Sequence, residues 1–144
     1  MSSLTLSTRL RISAAIIGGF GVLTALAALP ALSGLIHLFV DIVTWPRNGA
    51  GGLVTPEGRL VLAIAGGITC GWAVTLWQLS GAALRAAPRA VVGAAMTGFT
   101  AWLILDSTAS VMAGAPLNIV GNLAFYAVLV APLLPALRTD AART

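Results

Sequence analysis

An aspartate and two asparagines interrupt an otherwise apolar stretch in the last third of the chain, AWLILDSTASVMAGAPLNIVGN over residues 101–122. Asp106 carries the widest chemistry there, since a carboxylate can hold a proton, bind a cation or accept hydrogen bonds. Near the middle of a bilayer a charged carboxylate costs roughly 2.5 to 3.5 kcal/mol on insertion scales, so it needs a partner, a water pocket or a proton. Gly114, Ala115 and Pro116 read as a turn between two antiparallel helices. Both helices rise about 1.5 Å per residue, which puts positions equidistant from the turn at one depth. Asp106 then lies level with Asn122, and Ser110 with Asn118. Asp106, Ser110 and Gly114 share a face at spacing four, as do Asn118 and Asn122, so two polar stripes are expected to meet across the hairpin.

That seam has two readings. In one, Asp106 is a proton- or cation-binding carboxylate in a small outward cavity lined by Ser110, Asn118 and Asn122. In the other, it accepts bonds from the asparagine amides and holds two helices in register. Such bonds average about 0.6 kcal/mol in membrane proteins, so they specify geometry more than they stabilise. The structural reading comes first, because no relay of further ionisable groups accompanies the acid. Ser107 and Thr108 receive no role, since hydroxyls in membrane helices bond back to the carbonyl one turn earlier.

Other residues offer less. His37 and Asp41 are four apart and would meet on a helix, as a fragment of a metal site or a pH-sensitive pair, but two ligands do not complete a site, and an interfacial helix with its polar side in water is the preferred reading. Gly67 and Gly71 have the spacing that lets membrane helices approach closely, with packing inside the bundle preferred to a homodimer face. Trp72 and Trp102 read as core filling below the seam. The single Cys70 sits in an apolar run, can form no intramolecular disulfide and reads as a small buried apolar residue. There is no phosphate-binding glycine loop with lysine, no paired-histidine metal motif and no serine nucleophile elbow, so no enzyme is expected. One histidine cannot hold a haem between two, and no cofactor or metal is expected.

The elements that must position these residues follow from composition. Of 144 residues, 58% are hydrophobic and 8% charged, against about 25% charged in soluble domains. Twelve charges cannot cover a water-soluble surface of this size. Eight arginines, no lysine and four acids leave a net charge of +4, but the arginines flank apolar runs and form no patch that would read as a nucleic-acid footprint. The expected fold is an all-α integral membrane four-helix bundle in a single domain. Its spans lie at about 11–31, 59–80, 90–113 and 117–137, the first broken by Pro30. A short interfacial helix at about 32–44 carries His37 and Asp41. A glycine-rich outer loop at about 46–58 follows it. Residues 1–8 are expected to be loosely ordered. The small multidrug exporters have a similar size and span number, but their first-span acid has no counterpart here.

With four spans, Arg9, Arg11, Arg85, Arg89, Arg138 and Arg143 fall on one side and Arg47 and Arg59 on the other. Six against two places both termini in the cytoplasm of a bacterial cell, in its inner membrane. A secretory signal peptide, with Ala31 and Ser33 at the minus-three and minus-one positions before Gly34, fits the same residues. The span is preferred because the apolar run is long and continues past that point. The function expected first is that of a noncatalytic accessory or assembly component, acting through helix contacts with other membrane proteins or itself in the lipid bilayer. A small transporter or ion-conducting oligomer using Asp106 with Asn118 and Asn122 comes second.

Overall fold

The computed structural model of the chain describes residues 5–46 and 51–134. Part of the expected outer loop, 47–50, and the last three residues of the expected fourth span lie outside the described residues. Helix α1, Leu6–Leu26, starts at Thr5, whose hydroxyl accepts the Thr8 N–H at 3.2 Å. It stops before Pro30 because a proline has no N–H to give to the carbonyl of Leu26, and the residue before it, Leu29, is driven to an extended conformation. The first span therefore occupies 6–26 rather than 11–31, with Arg9 and Arg11 inside its first turns.

A 3-10 turn, Pro30–Leu32, leads into helix α2, Gly34–Val43, close to the expected interfacial helix. A second 3-10 turn, Gly51–Leu53, precedes helix α3, Pro56–Leu79. That helix has three start signals in a row. Thr55 caps the Gly58 N–H at 3.1 Å, Pro56 stands at the first position, and Glu57 faces the positive end of the helix dipole. A short helix α4, Ala82–Ala86, separates α3 from helix α5, Pro88–Met112, and helix α6, Asn118–Val130, returns along α5. The described residues contain no strand.

Helices α1, α3 and α5 are long and apolar enough to cross a membrane. Helix α6, with 13 residues, is about 20 Å long, against a hydrocarbon core of about 30 Å. It ends seven residues short of the expected limit of 137. Pro132 has no N–H for the Val128 carbonyl, and the chain turns at 131–133. Ile64, Ile68, Ile104, Leu105, Val120 and Leu123 all stand more than half exposed on these helices. Apolar surface of that extent on neighbouring helices suits lipid or another protein and not water.

Hydrogen bonds set the direction of each element. Ser7 Oγ donates to the Ser80 carbonyl at 2.8 Å and Arg11 Nε to Ser80 Oγ at 2.9 Å, so α1 starts where α3 ends. Ser13 Oγ donates to the Leu129 carbonyl at 2.8 Å and Arg9 to the Pro132 carbonyl at 3.2 Å, so α1 also starts where α6 ends. At this arginine-rich end Leu10, Ile17, Leu76, Val92, Phe99 and Leu129 form the larger core. A smaller cluster of Ala27, Ile36 and Leu62 closes the opposite end.

Contact between α1 and α3 depends on glycines other than the expected pair. A Cβ on Gly66 would stand 2.6 Å from the Ala25 Cα and the Gly21 carbonyl oxygen, and one on Gly21 would stand 2.9 Å from Cys70 N and Sγ. At Gly67 and Gly71 nothing lies within 4 Å, and both are exposed. They take no part in packing within the chain, because α1 approaches α3 along the adjacent stripe of Gly66, Cys70 and Ala73. Overpacking such a contact costs about 1 to 3 kcal/mol. Gly66→Ala is therefore expected to lower the unfolding midpoint of the purified protein in mild detergent clearly, while Gly67→Ala leaves it unchanged. Equal effects of the two changes would contradict this account of the interface.

Candidate polar site in a cavity between the helices

The hairpin that carries the polar residues is closed by one glycine. Gly114 has φ +79°, a left-handed conformation open to it for want of a Cβ. Its N–H bonds to the Val111 carbonyl at 3.0 Å and the next N–H, of Ala115, to the Ser110 carbonyl at 2.8 Å. These are the paired bonds of a Schellman helix end. The chain then enters α6 through Pro116 and Leu117, so that Asn118 is the first residue of the returning helix.

Across this turn the structure brings Asp106, Ser110, Asn118 and Asn122 together. Asp106 Oδ1 accepts from Asn122 Nδ2 at 2.7 Å, from Asn118 Nδ2 at 2.9 Å and from Ser110 Oγ at 3.2 Å. Asn118 Nδ2 also donates to Ser110 Oγ at 2.8 Å, and Asn122 Nδ2 to Ser107 Oγ at 3.2 Å. Every donor of the two amides is used, and all point toward the acid side of the hairpin. A carboxylate oxygen is a partner that suits three converging donors, since it can accept several hydrogen bonds at once. The arrangement leaves Asn118 Oδ1 buried without a hydrogen bond, and among the described residues Oδ2 of Asp106 receives none. No basic side chain pairs with Asp106 among the described residues.

Behind the cluster lies a cavity of about 550 Å³. Asp106, Asn118 and Asn122 form its polar corner, and most of the remaining wall is apolar or aromatic. Helix α1 contributes Phe20 and Thr24, α2 contributes Phe39 and Val40, and α3 contributes Leu62, Ala65 and Thr69. Trp102 of α5 and Phe125 of α6 complete it. The rings form a chain, with centroids 6.5 Å apart for Phe20 and Phe39, 5.3 Å for Phe20 and Phe125, and 5.6 Å for Trp102 and Phe125. Ile36 and Leu62 of the smaller core cluster line it, as does Phe125, which packs against the larger one.

Sequence reasoning missed Ser107, which accepts the second Asn122 proton, and the rings from α1 and α2. Trp102 had a signal, because it precedes Asp106 by one helical turn and so shares its face. Phe20 and Phe39 had none in local spacing, since only the tertiary fold brings them to the site. Trp72 packs edge-on against Phe99, centroids 5.4 Å apart, in the larger core. His37 and Asp41 share α2, but among the described residues no hydrogen bond or ion pair joins their side chains, and His37 Nε2 is buried without a partner. No group of three or more histidine, cysteine or acidic residues among the described residues is placed to hold a metal ion. No family model, curated protein or solved structure matches the chain.

The amide bonds have a measurable share in stability. Asn122→Ala, which removes two of them, is expected to reduce the unfolding free energy by about 1 kcal/mol, and Ser107→Ala by less. Reversible unfolding in mixed micelles checks both values, and an Asn122→Ala protein as stable as the wild type would show the cluster to be energetically idle.

Proposed function

We propose that the protein is a small, non-enzymatic membrane transporter or ion-conducting oligomer that takes up a cation at Asp106. The observation that carries this reading is a carboxylate in a helix long and apolar enough to cross a membrane, held among the described residues by neutral donors, at the wall of a 550 Å³ cavity. Neutral donors hold the charge in place without cancelling it. A cation entering the cavity supplies the missing countercharge. The cavity supports solute binding beside the helix-contact reading. The arginine distribution and the absence of lysine support a bacterial inner membrane with both termini in the cytoplasm, which would turn the Asp106 end of the bundle outward.

A second reading, an accessory or assembly component that works by helix contacts, is favoured by the open faces of Gly67 and Gly71. These would receive a helix of a second copy or of another membrane protein. Comparing wild type with Asp106→Asn separates the two readings. Under the first, the substituted protein accumulates in folded form at the wild-type level, and proteoliposomes containing it lose cation flux. Under the second, neither protein conducts, and Gly71→Leu, not Asp106→Asn, disrupts association measured by cross-linking in membranes.

A further inference from the structure

The walls of the cavity say what kind of cation it takes. A site for a bare metal ion is built from several oxygen ligands around one point, and calcium for example takes six to eight. Here Asp106 is the one acid on the cavity wall, the two asparagine amides turn their N–H groups to it, and Phe20, Phe39, Trp102 and Phe125 occupy much of the rest. Each Nδ2 has given both its protons to Asp106, Ser107 or Ser110, so the amides offer a ligand no free donor. A bound anion would meet a carboxylate and no donor. A neutral polar ligand would find few groups to bond. An apolar body carrying one positive charge matches every part of the wall, because ring faces attract cations as well as apolar surface. The volume is in the range that holds drug-sized molecules.

Resting on the cation reading of Asp106, we infer that the cavity binds an amphiphilic organic monocation, such as a quaternary ammonium with an aromatic or aliphatic body. Its charge lies beside Oδ2 of Asp106, the oxygen that takes no hydrogen bond among the described residues. Its body lies against the four rings. Helix α2 matters here because Phe39 lines the cavity between Phe20 and α6. A Cβ on Gly121 would stand 3.5 Å from the Phe39 ring. No inorganic ion would need that ring.

The test measures binding of benzyltrimethylammonium to the full chain in a neutral detergent, beside its uncharged isostere neopentylbenzene and beside sodium and thallium(I). The expected result is saturable binding of the ammonium, no comparable binding of the isostere, and a loss of about 30-fold or more in ammonium affinity in Asp106→Asn. Circular dichroism and gel filtration report whether that variant is folded. Phe39→Leu provides the independent arm, since Phe39 is 36% exposed and its replacement spares the packed core. It is expected to weaken ammonium binding several-fold with the fold intact, and unchanged affinity there would overturn the inference. Binding of sodium or thallium(I) that depends on Asp106, without binding of the ammonium, overturns the ligand class and leaves the cation site standing. Equal binding of ammonium and isostere, indifferent to Asp106→Asn, shows an apolar pocket and overturns the inference. If no cation binds at all, both the inference and the cation reading fall.

Discussion

A carboxylate in a helix apolar enough to cross a membrane has to be solvated by the protein, and here the solvent is the opposite arm of the same hairpin. Asp106 sits on α5, and α6 delivers Asn118 and Asn122 to it. Much of the architecture around the site follows from that need. Helix α6 must return closely along α5, which the left-handed Gly114 and its two backbone bonds make feasible. Ser110 serves twice, its carbonyl closing the turn and its hydroxyl entering the cluster. The turn and the site are one structure.

The remaining helices are arranged so that the cluster is not buried under close packing. Helices α1 and α3 approach through Gly21 and Gly66, near enough that neither position has room for a methyl group. That contact draws α3 toward α1 and away from the hairpin. Packing is tight at the arginine-rich end and again around Ile36 and Leu62, and the cavity is lined by rings and the polar corner. The rings lining it meet at interplanar angles of 82°, 46° and 76° and not in parallel stacks. The cavity lies beside the approach that glycine permits, and aromatic rings form part of its wall.

How far the sequence foretold this depends on whether the signal was local. The hairpin was legible because Asp106, Ser110, Asn118 and Asn122 are symmetric about Gly114, and helical rise converts that symmetry into depth. The ends of α1 and α6 were misplaced for a related reason. Pro30 and Pro132 act on the residues before them, so each helix stops short of the point where the apolar run itself ends. The glycine contact was not legible. Gly66 and Gly67 are adjacent, each has a small residue four positions on, and the two stripes differ only by about 100° of rotation. Which stripe faces inward is decided by α1, some forty residues away. The rings of Phe20 and Phe39 reached the site by the same long-range route, and no pattern within either helix announces it.

The connection between α5 and α6 has a further consequence for variation in length. One residue added to α5 between Asp106 and Met112, with the turn unchanged, would carry the turn and α6 about 100° around the α5 axis and about 1.5 Å along it relative to Asp106. Asn118 and Asn122 would swing off Asp106 together, and Phe125 would leave the cavity with them. No single substitution within α6 could restore the match, because all three residues depend on the same count. Substitutions that keep both the count and the left-handed Gly114 leave that alignment untouched. The number of residues and the left-handed Gly114 are thus the two features of the hairpin on which the site depends.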